Sequence, residues 1–109
     1  MSTNLPRPIA AYVEANARLD VDGMLAAFAP DAVVKDEARE HRGHAEIRPW
    51  IQSATIAARA VFTPEAWREE DDGALIVDGT TAGDFPGSPL PFAFRFKLDG
   101  EAISGLEIA

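Results

Sequence analysis

The spacing of apolar positions changes once along this chain, from a helical period to a strand period, and that change divides the fold. Leu5, Ile9, Tyr12, Val13 and Ala17 recur close to every 3.6 residues, which predicts an amphipathic helix over 5–18. Pro6 and Pro8 fall in its first turn, where a missing N–H costs little. The segment "RLDVDG" (18–23) breaks it. Asp20 can then cap a second, short helix over 21–28, with Val21, Leu25 and Phe28 as its apolar stripe and Pro30-Asp31 as its stop. A strand over 32–35 follows, and "AREHRG" (38–43) reads as a loop or hairpin arm closed by Gly43. A third helix over 44–58 sets Ile47, Trp50, Ile51, Ala54 and Ala58 on one side. Pro49 inside it is tolerable only within the first turn or so.

Beyond Arg59 the period becomes two. "AVFTPEAWREE" (60–70) predicts a strand, Asp72-Gly73 a hairpin turn, and "ALIVDGTTAGDF" (74–85) a second strand bent near Gly79 or Gly83. "PGSP" (86–89) is a turn. In "LPFAFRFKLDG" (90–100), Phe92, Phe94, Phe96 and Leu98 face one way, and Ala93, Arg95 and Lys97 the other. Asp99-Gly100 turns the chain into a last strand, "EAISGLEIA" (101–109). Three helices followed by three or four long antiparallel strands make an α+β domain spanning 1–109. The helices can cover only one sheet face. If the sheet curves, it and the helices enclose a cone with one open end. The uncovered face, with Ala93, Arg95 and Lys97, suits a homodimer.

Composition narrows the function. With 18 acidic residues against 10 basic, the formal charge is -8. Phosphate backbones are bound by neutralising them with Lys and Arg. The small basic cluster of Lys35, Arg39 and Arg42 is interleaved with Asp36, Glu37 and Glu40, so neither nucleic acid nor an anionic membrane is an expected partner. The absence of cysteine removes disulfides, thiolate metal sites and cysteine nucleophiles. "MSTNLPRPIA" lacks a basic segment followed by an apolar run, and no apolar stretch approaches the ~20 residues that cross a bilayer. The expected location is the cytoplasm.

The segment "YVEANARLDVDGMLAAFAPDAVVKDEAREHRGHAEIRPW" (12–50) resembles the SnoaL-like branch of the NTF2-like superfamily. It is similar to that family's tyrosine helix, its D-x-(D/E)-G break, its helix ending in D-A, its strand with an aspartate, and its G-x-x-x-I-x-x-(W/F). The resemblance extends over nearly the whole chain and implies a cone-shaped α+β fold. Ketosteroid isomerases, polyketide cyclases, limonene epoxide hydrolase and scytalone dehydratase share that superfamily, so the fold alone does not give the function.

The resemblance implies that Asp36 stands at the position of the isomerases' general base and Tyr12 at that of their oxyanion donor. A carboxylate at the rim of an apolar cavity is desolvated and becomes a better base, and a phenol can hydrogen-bond a developing enolate. The alternatives are a polar strand end paired with Arg39 or Arg42, and a core aromatic. The isomerases' second, protonated aspartate aligns with Phe92, which leaves that oxyanion hole incomplete and the wall more apolar. His41 could line the mouth as a donor, whereas His44 fits a solvated helix start. Two histidines with Glu40 and Glu46 fall short of a convincing metal site, which needs at least three converging ligands. Asp84 is a turn former that could instead enter the cavity beside Phe85. Trp50 and Trp67 are either core or cavity walls. No nucleophile elbow, phosphate loop or dinucleotide fingerprint is present. These residues suggest a cofactor-free isomerase, cyclase or dehydratase acting on a small hydrophobic carbonyl compound. The rival is a non-catalytic ligand-binding or interaction domain of the same fold.

Overall fold

α1 (Arg7–Ala17) and α2 (Val21–Ala26) open the fold, in a computed structural model that describes residues 4–108. The first residues of "MSTNLPRPIA" and the final Ala109 lie outside the described residues. α1 buries Ile9 and Tyr12 of the expected stripe and half-buries Val13, but Ala17 is exposed and Ala15 takes the buried place instead. Asp20 caps α2 by accepting a hydrogen bond from the Gly23 N–H at 3.1 Å.

The chain leaves α2 two residues earlier than expected, and Phe28 belongs to the next strand, β1 (Phe28–Asp36). Pro30 and Asp31 therefore sit inside a strand rather than ending a helix. They are exposed and lie where the ladder shifts register between Phe28 and Val33, so the missing proline N–H deprives the sheet of little. β2 (Arg39–Arg42) returns as a short hairpin arm. α3 (Gly43–Ile51) follows, and Pro49 lies in its second turn rather than its first. A proline there cannot donate to the carbonyl four residues back. Beyond it the helix loosens into a π-helical turn (Gln52–Ile56), so the regular α-helix is shorter than the period implied.

β3 (Val61–Glu69), β4 (Leu75–Ala82), β5 (Leu90–Asp99) and β6 (Ala102–Ile108) complete one six-stranded sheet in the order β2-β1-β6-β5-β4-β3. One correction follows. Among the described residues the early strand, the hairpin arm and four later strands are all present, but the sheet is mixed: β1 runs parallel to β6, while every other pair is antiparallel. The Asp72-Gly73 and Asp99-Gly100 turns fall where expected. Gly79 is opposed to Pro64 beside a bulge in β3, and a Cβ there would collide with the Thr63 carbonyl and the Phe62 ring.

Val77, Phe94, Phe96 and Leu106 on one sheet face pack against Ile9 and Met24 of the helices, all nearly or fully buried. Burying one such large apolar side chain contributes about 1.5–3 kcal/mol. Asn16, at 3% exposure, ties α1 to the sheet. Its Nδ2 donates to the Ala60 carbonyl at 2.9 Å, and its Oδ1 accepts from the Phe62 N–H at 2.7 Å. Arg95 and Lys97 face away from the helices as the alternation predicts. Arg95 pairs with Asp72, and Arg68 of β3 pairs with Asp78 of β4 at 3.0 Å.

Candidate functional site

A two-residue turn, Glu37-Ala38, joins β1 to β2 and makes Asp36 and Arg39 cross-strand partners. Both turn residues have positive φ, 51° and 64°, which is the primed geometry that matches strand twist and usually requires Asn-Gly. The turn fixes the end of β1. Side chains alternate along a strand, so Asp36 shares its face with fully buried Val34, two residues back. Asp36 is thus the first polar group on that face beyond the core, and it is half-buried.

Across from it, α3 presents Trp50, 5% exposed, whose Nε1–H donates to Asp36 Oδ2 at 3.1 Å. No cation among the described residues lies within ion-pair distance of Asp36. Arg42 pairs with Glu40 instead, at 3.0 Å. The alternative of an arginine-paired strand end is therefore not what the structure holds. Tyr12, 3% exposed, meets Phe28 and Phe96 edge-on at centroid distances of 5.5 and 6.0 Å. Burial pushes its phenol well above the ordinary value of 10.0, and the nearby carboxylate of Asp36 adds to that rise.

Asp36, Tyr12, His41, Trp50, Phe85 and Phe92 all border one cavity of about 610 Å³. The volume is within the range of small-molecule sites. His41 lies beside Trp50, ring centroids 6.0 Å apart. Two expected members are elsewhere. Trp67 is on the same sheet face but opposite Val77, nearer the β3–β4 turn than the cavity, where it packs on the core. Asp84 is exposed in the loop after β4, held by its backbone N–H to the Ala58 carbonyl at 2.6 Å, so the turn-forming alternative describes it. His44 does open α3, but it is half-buried and its Nε2–H donates to the Phe28 carbonyl at 2.9 Å. Among the described residues no three His, Cys, Asp or Glu side chains form a group that could hold a metal ion.

Some of the wall was not read from the sequence. Ser53, Ala54 and Thr55 of the π-helical turn line the cavity, and their small side chains leave it room. The run "SATIAA" is the signal for that wall. Thr81 Oγ1, also on the cavity, is a buried hydroxyl with no hydrogen-bond partner among the described residues. Glu37 and Arg39 reach the same space, so the cavity has an apolar body and a charged end rather than apolar walls throughout.

A family model described as SnoaL-like domain matches residues 9–105. The chain belongs to the SnoaL-like family. A protein of Sinorhizobium meliloti, provisionally named a polyketide cyclase, is 35% identical to this SnoaL-like chain over 100% of it and 99% of its own length, at a TM-score of 0.90. A Catenulispora acidiphila protein with a ketosteroid isomerase-like fold, solved in complex with trimethylamine, is 20% identical at a TM-score of 0.80, covering 97% of this chain and 86% of that one. An epoxide hydrolase/cyclase-like enzyme of pyran ring formation in salinomycin is also 20% identical at 0.80, covering 93% and 85%. These last two share the fold of this SnoaL-like protein. Among curated proteins none matches. Among the described residues no helix is long and apolar enough to cross a membrane.

Proposed function

We propose that this SnoaL-like protein binds a small hydrophobic carbonyl compound in the cavity and moves a proton within it, without a cofactor, in an isomerisation, cyclisation or dehydration. The observation that carries this reading is the state of Asp36. It borders the cavity, one oxygen is oriented by Trp50, and among the described residues no guanidinium forms an ion pair with it. The second oxygen is then the base. Proton transfer by a positioned side chain is worth roughly 10²–10⁴ in rate. Tyr12, kept neutral by its burial, acts as a hydrogen-bond donor to the enolate oxygen rather than as an acid. His41 and the unpartnered Thr81 hydroxyl are further donors on the wall. The resemblance puts Phe92 at the isomerases' second acid, which argues for a reaction whose oxyanion needs fewer donors than theirs. The S. meliloti relative named for polyketide cyclisation supports the cyclase end of this range. A second copy of the chain is the partner we propose for the outer sheet face.

The test is solvent exchange. With 2-tetralone in D₂O, proton NMR should show loss of the α-proton signals faster with protein than with buffer, and Asp36→Asn should lower that rate at least a hundredfold. Exchange at the buffer rate with wild-type protein would remove the catalytic reading and leave a ligand-binding domain.

A further inference from the structure

Four ionisable side chains reach the charged end of the cavity: Asp36, Glu37, Arg39 and His41. They do not weigh equally. Glu37 and Arg39 are exposed, so water and salt screen them. Asp36 is half-buried and unpaired, although Arg39 is its cross-strand partner. The potential inside the cavity is therefore set by the carboxylate that water reaches least. Tyr12 registers that potential, since its phenol is held neutral first by burial and then by the charge of Asp36. The surroundings of Asp36 are aromatic: Trp50 bonds it, and Tyr12 and His41 share its wall. An aromatic, partly desolvated surrounding with one free carboxylate is the chemistry that holds organic cations. The formal charge of -8 also draws cations to the molecule.

From these features together, we infer that the cavity selects, among apolar molecules of one size, those ending in a protonated amine, with the ammonium on the free oxygen of Asp36. This rests on the reading above only in requiring that a small hydrophobic molecule enters the cavity; it does not require Asp36 to remove a proton. An ammonium there occupies the base. Such amines bind without turnover and compete with the carbonyl compound.

Three isosteres test this by calorimetry at pH 7 and low salt: naphthalen-2-ylmethanamine as its cation, naphthalen-2-ylmethanol, and naphthalene-2-carboxylate. The expected result is the amine about tenfold tighter than the alcohol, the carboxylate weakest, and the amine's advantage fading with added NaCl. Asp36→Asn, checked for folding by circular dichroism, should bring the amine down to the alcohol's affinity. If the alcohol binds as tightly as the amine, the inference falls while the cavity reading stands. If the carboxylate binds tightest, Arg39 governs the site and the inference falls. If none binds to wild-type protein, the cavity reading falls and takes the inference with it.

Discussion

The indole N–H of Trp50 on α3 donates to Asp36 Oδ2 at the end of β1, at 3.1 Å. One bond thereby joins the helical layer to the sheet and orients a carboxylate at the cavity edge. A hydrogen bond to a charged group contributes about 1.5–3 kcal/mol, less where water reaches it. A double-mutant cycle of Trp50→Phe and Asp36→Ala, followed by urea unfolding, should give a coupling of about 1–2 kcal/mol. Strict additivity would mean that the contact does not hold the carboxylate.

Asn16 satisfies two buried backbone groups at once, the Ala60 carbonyl and the Phe62 N–H. Asn16→Ala orphans both. Each unsatisfied buried group costs about 1–3 kcal/mol, so the variant should lose roughly 2–6 kcal/mol of unfolding free energy. A loss below about 1 kcal/mol would show that water repairs the site.

Tyr12 is the chain's one tyrosine, so its phenolate band at 295 nm reports on it alone. Its ionisation in the folded state is raised above the ordinary 10.0, so the unfolded chain gives up this proton at lower pH than the folded one. The stability this neutral phenol contributes is complete below pH 10 and drains away as pH rises above it. Wild-type protein should therefore lose up to about 1.4 kcal/mol more than Tyr12→Phe between pH 10 and 11. Phenolate absorbance should appear only as the chain unfolds. Titration near pH 10 in the folded state would contradict the burial.

Glu37 and Ala38 both adopt positive φ in the β1–β2 turn, a conformation that costs residues with a Cβ roughly 1 kcal/mol apiece. Glu37→Asn with Ala38→Gly should raise stability by about 1 kcal/mol, seen as a higher Tm. A lower Tm would mean that Glu37 makes a compensating contact.

If the outer sheet face is covered by a second copy, light scattering at micromolar concentration should report twice the 11.7 kDa chain mass. Arg95→Glu should return it to one. A wild-type monomer would leave the Arg68–Asp78 and Arg95–Asp72 pairs as a plain solvated surface.

Local chemistry made much of this legible. The α1 stripe, the Asp20 cap, both Asp-Gly turns and the alternation in β5 each depend on residues adjacent in sequence. What escaped depends on distant partners. Pro30 and Asp31 look like a stop signal until β6 offers a strand to pair with. Pro49 looks intolerable in a second turn until the helix relaxes into a π turn behind it. Asp36 and Tyr12 could be named because their positions resemble those of the isomerases' base and oxyanion donor, and His41 because it lies on the hairpin arm that follows Asp36. Trp67 has the same face as the cavity wall, and only the register with Val77 places it past the cavity. Asn16 gave no signal, because a buried asparagine on a helix is recognised by the backbone it serves.

The parallel pairing of β1 with β6 sets an order of events during synthesis. Residues 102–108 leave the ribosome well after residues 28–36, and the β3–β5 meander can form from neighbours in sequence before β1 has a place to dock on β6. Until then β1, and the acid at its end, has a sheet neighbour on one side only. Any nascent form truncated before residue 102 would display β1 and the aromatic rows of β5 as open edges, a sticky species whose only remedy is further elongation.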